Sequence, residues 1–352
     1  MAFHHRYPFL VLTFTVCLYW QLAGCGLALR GLERLLPEKD VGDVVCARDR
    51  LFVGLTAGPI PPFVFPIVGT SQGPRVTGFD VELVEEIEQE LAARCGKPVK
   101  ASLRLVPFLD LFTLVHENKL DLFLSAMPAD VAGTGRGGFA YSLPYFIGGG
   151  LVPVARNARI AEEIGRRFET MARSRHDPLA RRDALKGFRK AVVDGSSAAA
   201  YAEAHFANES FVVCDSHLSA FEAGRTIGED PDLILGSQPV MEFMVGRMKP
   251  EWTLVTAANG GPLLLTHEYL SIVLGDEKLS LRWFINNLLF RLDDSGTLDR
   301  IRKRWMDDAY DYRARAETEG LPVEERAEDI QQRRHCYVGE SGFGKLRTLT
   351  RE

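Results

Sequence analysis

The strongest constraint on this chain is an alternation of strand-like and helix-like stretches between residues 51 and 125. An apolar run at 51–55, Leu-Phe-Val-Gly-Leu, leads into a Pro/Gly-rich loop that carries Phe63. An amphipathic stretch follows over 79–91. Its apolar residues fall at Phe79, Leu83, Val84, Ile87 and Leu91, while Glu85, Glu86, Glu88 and Gln89 occupy the other side. That period predicts a helix with one buried stripe, and Gly96 and Pro98 stop it. Residues 99–106 read as a second strand, 110–118 as a short helix and 120–125 as a third strand. Two successive strand–helix–strand crossovers predict a parallel sheet with helices on its faces. Such sheets bind ligands beyond the C-terminal ends of their strands. Here those ends are the loop 56–65, Pro107-Phe108, and Ser125, Ala126 and Met127.

The second half repeats the pattern. Gly148, Gly149 and Gly150 precede an apolar run, which fits a hinge or a close backbone approach. Residues 156–182 are Arg-rich and helical in period. Ala191-Val192-Val193 reads as a strand, and Asp194-Gly195-Ser196-Ser197 as a turn opening an Ala-rich helix. Such a turn presents free amides and a positive dipole end, which suits an anion; a plain helix cap explains the same residues. Further strands are expected at 211–214, 233–235 and 267–274, with helices at 279–292 and 298–305. Beyond 312 the chain is rich in Arg and Glu with few apolar anchors, and residues 313–352 read as a charged, partly disordered tail.

The 352 residues are enough for about two domains. A net charge of −5 gives the whole chain no pull toward nucleic acid or anionic lipid. No phosphate loop and no Cys/His spacing for a metal is present, so neither cofactor nor metal is expected. At the N-terminus, His4, His5 and Arg6 precede an apolar stretch and the small-residue exit Leu22-Ala23-Gly24-Cys25, the plan of a secretory signal. Leu-Ala-Gly-Cys resembles the bacterial lipobox, with Cys25 as the lipidated residue and residues 26–44 as a tether. An ordinary cleaved signal and an uncleaved span are the alternatives. Export permits disulfides. Cys46 and Cys95 each stand just before a strand, and neighbouring parallel strands would bring them together. Two separate buried thiols is the other reading, and Cys214 and Cys336 are left unassigned.

The order Leu51-Phe-Val-Gly, Pro61-Pro-Phe63, Gly78-Phe-Asp-Val-Glu-Leu83, Asp121-Leu-Phe-Leu-Ser-Ala-Met127 and Tyr141-Ser-Leu-Pro-Tyr-Phe146 resembles bacterial extracytoplasmic solute-binding proteins of family 3. These are the periplasmic amino-acid-binding partners of ABC importers. Val192-Val-Asp-Gly-Ser-Ser197, Leu233-Ile-Leu-Gly-Ser-Gln-Pro-Val240 and Asp294-Ser-Gly-Thr-Leu-Asp-Arg-Ile-Arg-Lys-Arg-Trp305 extend the resemblance over about 45–308. It implies the two-lobe, type II periplasmic-binding-protein fold of the α/β class, with the lobes joined by two crossover strands and the solute enclosed between them. Lobe one would be 45–149 plus 268–312, and lobe two 150–267, with crossings at 149–154 and 269–274.

The resemblance also assigns residues. Phe63 would cover an apolar part of the ligand from the cleft lip, and Phe108 matches an aromatic after the second strand. Ser125, Ala126 and Met127 match backbone contacts at the third strand end. Ser196 and Ser197 match a carboxylate-binding turn. Family members grip an α-carboxylate with an Arg in a Thr-x-x-Arg pattern after the Met. Gly133 falls at that spacing here, and Arg136, with Thr134 beside it, is the nearest substitute. They also pair an Asp with the α-ammonium near the start of the Pro-Val helix, where this chain has Ser237-Gln238. A cation there would be poorly compensated, so the expected ligand is a small polar or anionic solute rather than a standard α-amino acid. The expected protein is a monomeric, extracytoplasmic binding (lipo)protein without catalytic activity, serving an ABC importer permease. The alternatives are a sensing or envelope-assembly module, and a dehydratase-like enzyme on the same fold. For an enzyme the candidate acids and bases are Glu242, Asp130 and His267, and none forms a nucleophile–base pair.

Overall fold

The computed structural model describes residues 42–67, 73–129, 138–175, 180–206, 208–306, 320–326 and 336–339. Strands β1 (Arg50–Thr56), β2 (Phe65–Ile67) and β3 (Arg75–Thr77) are followed by helix α1 (Phe79–Cys95). Then come β4 (Lys100–Val106), α2 (Phe108–His116), β5 (Leu122–Phe123), β6 (Phe139–Tyr141), β7 (Phe146–Ile147) and β8 (Leu151–Ala155). The middle of the chain runs α3 (Ala158–Arg175), α4 (Ala180–Asp183), β9 (Lys190–Val193), α5 (Ser197–His205), β10 (Phe211–Cys214), α6 (His217–Phe221) and α7 (Gly224–Ile227). It closes with β11 (Leu233–Ser237), α8 (Gln238–Phe243), β12 (Thr253–Leu254), β13 (Tyr269–Leu270), β14 (Val273–Gly275), α9 (Leu279–Asp294), α10 (Thr297–Met306), β15 (Leu321–Pro322), β16 (Glu325–Arg326) and β17 (Cys336–Gly339).

Two mixed sheets organise the molecule, one per lobe. The first has the order β16-β4-β1-β5-β14-β6 and the second β12-β8-β11-β9-β10-β17. In the first, β1 pairs in parallel with β4 from Arg50↔Lys100 to Thr56↔Val106, and also with β5. In the second, β9 pairs in parallel with β10 and β11. These crossovers bring the C-terminal strand ends of each lobe to one side. An antiparallel ribbon of β7 with β13, Tyr269↔Ile147 and Leu270↔Phe146, links the lobes. The first crossing thus comes slightly before the 149–154 expected for it. β8 is already an inner strand of the second sheet, so the chain must cross before reaching it.

The β1–α1 unit packs as its pattern predicts. Leu83, Val84, Ile87 and Leu91 of α1 are fully buried. Gly78 caps the helix, and a Cβ there would stand 2.0 Å from the carbonyl oxygen of Phe63, so only glycine lets the loop and helix start meet. Cys46 and Cys95 form a disulfide with Cα atoms 5.4 Å apart, tying the approach to β1 to the end of α1. A second disulfide joins Cys214 to Cys336.

Within the stretch read as a charged tail, two pieces are strands instead. β15 and β16 add to elements of lobe one, and β17 pairs antiparallel with β10 in lobe two. They are edge strands of two to four residues, too short to show against the composition of the whole tail. The expected signal, Cys25, the tether up to 41 and the remainder of the tail lie outside the described residues. Among the described residues, no helix is long and apolar enough to cross a membrane.

Candidate functional site

A cavity of about 50 Å³ lies between the lobes, where the C-terminal strand ends of both sheets converge. Phe108, Ser125, Ala126 and Met127 line it from lobe one, and Ser196, Ser197 and Ser237 from lobe two. A water needs roughly 10–15 Å³ of such space, so the room is a few waters' worth. The lobes touch across its rim. A Cβ on Gly58 would stand 3.4 Å from Cβ of Ser216, and one on Gly195 only 2.3 Å from Cδ2 of Leu109.

The lobe-one wall is built from backbone held from beneath. Thr56 donates its amide to Ser125 Oγ at 2.9 Å, and Ser125 Oγ in turn donates to the Leu124 carbonyl. Ala126 has a left-handed φ of 49°, and its amide donates to Asp80 Oδ2 at 2.9 Å. Asp80 and Tyr145 are buried side by side below it. Complete burial pushes the Asp80 carboxyl up to about 7, against the opposing effects of the Ala126 amide and the Tyr145 hydroxyl.

The lobe-two wall is built from hydroxyls at helix starts. Ser196 caps α5, its Oγ accepting from the Ala199 amide at 3.2 Å and donating to the Val193 carbonyl at 2.6 Å. Ser197 Oγ donates to Oε1 of Glu268, a buried carboxylate beside the inter-lobe ribbon. Ser216 caps α6 through the Ser219 amide at 3.2 Å, and Ser219 Oγ donates to Asp215 Oδ1. His217 is buried, and loss of solvent lowers its imidazole pKa to about 4, so it is neutral at pH 7. Ser237 stands at the start of α8 without a capping bond from its side chain.

One expected site residue is displaced. Phe63 is fully buried, with its ring 5.7 Å from Phe79 and 5.3 Å from Phe146, and it does not line the cavity. The loop turns its aromatic inward because the rings of Phe79 and Phe146 offer a dry pocket. Ile60, three residues earlier, faces the cavity in its place. Arg136, Thr134 and Asp130 lie outside the described residues. Glu242 and His267 are exposed and do not line the cavity.

Sequence reasoning missed Asp215, Ser216 and His217, all cavity-lining residues. The strand-end rule applied to β10 would have found them, because a parallel strand ends at Cys214. Among the described lining residues, Asp215 is the one acidic side chain and no Lys or Arg is present. Asp215, Ser216 and His217 do not form a nucleophile–base relay of the required kind. Ser216 Oγ is engaged with Ser219, whose Oγ lies 2.7 Å away, and not with the imidazole.

The model of bacterial extracellular solute-binding proteins, family 3, matches residues 53–308, and the chain belongs to that family. The fold agrees with solved structures. A mutant of ArgBP from T. maritima aligns over 76% of this chain and 99% of its own, with 24% identity and a TM-score of 0.57. The ancestral amino acid-binding protein AncCDT-1, a precursor of cyclohexadienyl dehydratase, aligns over 76% and 100% at 21% identity and TM-score 0.58. AbpA from Streptococcus pneumoniae, an amino acid ABC transporter substrate-binding protein bound to L-arginine, aligns over 74% and 96% at 16% identity and TM-score 0.57. Among curated proteins, none matches this sequence.

Proposed function

We propose that this protein captures a small polar solute between its lobes outside the cytoplasm and delivers it to an ABC importer. The observation that carries this reading is the cavity itself, lined by both lobes and walled by strand ends from each. Family membership supports it, and so does the description of AbpA as an amino acid ABC transporter substrate-binding protein. In this reading Phe108 and Ile60 cover the apolar part of the solute. Ser125, Ala126, Met127, Ser196, Ser197 and Ser237 hydrogen-bond its polar groups. Arg136 grips a carboxylate if the solute carries one. Lobe one is 45–149 plus 268–312 and lobe two 150–267. Cys25 anchors a monomer to a membrane through 26–44, which keeps it beside the permease.

Binding without turnover is the expected behaviour, because Ser216 is committed to capping rather than to a base. The test is a thermal-shift screen of the mature domain against amino acids, carboxylic acids, sugar acids and polyamines. A solute that binds the native state raises the melting temperature by linkage. A response to a small carboxylate that is lost in Arg136→Ala supports the anionic form of the reading. A largest shift from a standard α-amino acid would overturn it and point to Asp215 as the ammonium partner. A chain that shifts with nothing in the screen would not be a binder of these solutes.

A further inference from the structure

Most polar side chains of the cavity wall are committed to partners within the protein. Ser125 Oγ accepts from the Thr56 amide and donates to the Leu124 carbonyl. Ser196 Oγ accepts from the Ala199 amide and donates to the Val193 carbonyl. Ser197 Oγ donates to Glu268, and Ser216 Oγ is engaged with Ser219. Two residues of the wall differ. The imidazole of His217, on lobe two, and the hydroxyl of Thr56, on lobe one, have no hydrogen-bond partner among the described residues. His217 is only 8% exposed and Thr56 only 4%, so both are almost wholly buried, and both line the cavity.

Buried polar groups are nearly always hydrogen-bonded, because an unmet donor or acceptor keeps the cost of losing water with nothing in return. Loss of solvent is the influence that acts on the His217 imidazole, and no neighbouring charge or hydrogen bond offsets it. The ring is neutral at pH 7 and carries one N–H donor and one lone pair. The Thr56 hydroxyl also donates and accepts. The loop that carries His217 and the end of β1 that carries Thr56 approach each other at Gly58. A Cβ there would stand 3.4 Å from Cβ of Ser216 and 3.9 Å from Oγ1 of Thr56. Asp215, the one acidic residue of the lining, is exposed, so water screens its side chain. A charged group placed between Thr56 and His217 would lose its water without gaining an opposite charge. An uncharged group that donates and accepts hydrogen bonds would satisfy both side chains.

We infer that His217, with Thr56 opposite it, forms a polar subsite that selects a solute bearing an uncharged donor–acceptor group, a carboxamide or a hydroxyl, at this end of the cavity. The subsite draws one side chain from each lobe, so the group is recognised only when the lobes meet around it. This inference rests on the reading of the protein as a solute binder, and it names what one end of that solute carries. It does not depend on an importer.

Four small acids test it by titration calorimetry against the full chain. Succinamate, 4-hydroxybutyrate, succinate and 4-aminobutyrate share one carboxylate and differ at the other end, which is a carboxamide, a hydroxyl, a second carboxylate or an ammonium. Succinamate or 4-hydroxybutyrate should bind about tenfold more tightly than the other two, the scale of one buried hydrogen bond. Phenylalanine keeps a ring and removes both nitrogens, so His217→Phe should abolish that preference. Glutamine restores a donor and an acceptor, so His217→Gln should keep it, which a purely packing role for the ring would not produce. Thr56→Val should weaken the favoured acid by a similar factor. Tightest binding of succinate or 4-aminobutyrate would overturn the subsite. Affinities unchanged in His217→Phe, or no binding of any of the four acids, would overturn it as well. The broader thermal-shift screen judges the binder reading separately, since a solute found there can bind without His217.

Discussion

The two lobes meet one cavity with different chemistry. Lobe one offers backbone and apolar groups, positioned by the buried Asp80 that accepts from the Ala126 amide. Lobe two offers serine hydroxyls and one carboxylate, positioned by the caps of α5 and α6. A wall of fixed backbone makes the same demand of every solute. A wall of side chains changes with each substitution. Under the proposed function, shape selection falls to lobe one and polar selection to lobe two. The difference also makes the lobes respond differently to mutation, and that contrast can be broken experimentally.

The largest effect is expected at Phe63. Its ring packs against those of Phe79 and Phe146 and is fully buried. Phe63→Ala should cost about 3–5 kcal/mol in chemical denaturation, the usual range for a buried aromatic. Ile60→Ala, on the cavity side of the same loop, should leave stability nearly intact and weaken the solute found by thermal shift. If Phe63→Ala weakened binding at unchanged stability, the ring would face solute rather than core.

The next effect separates the lobes by pH. Burial raises Asp80 to about 7, so between about 4 and 7 the folded state holds a proton that the unfolded chain has released. Asp80 thus contributes stability that is present at low pH and is lost as pH rises through 7. His217 is lowered to about 4, so between about 4 and 6.5 the unfolded chain holds the extra proton. Its contribution is present above 6.5 and is lost as pH falls through 4. The two slopes oppose each other in the native protein. Asp80→Asn should unmask a stability that rises with pH, and His217→Gln one that falls, each by up to about 1.4 kcal/mol per pH unit. Denaturation curves between pH 4.5 and 6.5 measure both, and parallel profiles for the two variants would refute the assignment.

Contact between the lobes gives the third test. Gly195 has a φ of 71°, and a Cβ there would meet Leu109 of the other lobe at 2.3 Å. Gly195→Ala should impair closure and cost about 1–2 kcal/mol, or about tenfold in affinity, from backbone strain and the clash. Gly195→Ala/Leu109→Ala should recover the part due to the clash. Recovery of none would place the whole cost in the turn.

Much of this architecture was legible because periodicity reports burial. The stripe on α1 and the continuous apolar β5 located the first sheet, and the strand-end rule located Phe108, Ser125, Ala126 and Met127. Side-chain direction within an irregular loop leaves no period. Phe63 and Ile60 are both apolar residues of one Pro-rich loop, and only packing against Phe79 and Phe146 decides which turns inward. The short strands within the tail left no sequence signal for a related reason. Strands of two to four residues bury little surface of their own, and they are held by pairing and by Cys214–Cys336, which depend on partners distant in sequence. Asp215 was within reach of the rule that found Ser125, had β10 been treated as β5 was.

The smallest expected effect distinguishes the two serine caps. Ser196 Oγ accepts from the Ala199 amide and also donates to the Val193 carbonyl, closing the turn that precedes α5. Ser216 Oγ accepts from the Ser219 amide at the start of the shorter α6. Loss of a cap costs about 1 kcal/mol. Ser196→Ala should cost about that amount and also weaken solute binding, because the turn it closes forms part of the cavity wall. Ser216→Ala should cost less, since Cys214–Cys336 already holds the same loop. In a Cys214→Ser/Cys336→Ser background the Ser216→Ala cost should grow toward that of Ser196→Ala. A Ser216→Ala cost that does not depend on the disulfide would mean that the cap, not the added strand, supports this wall of lobe two.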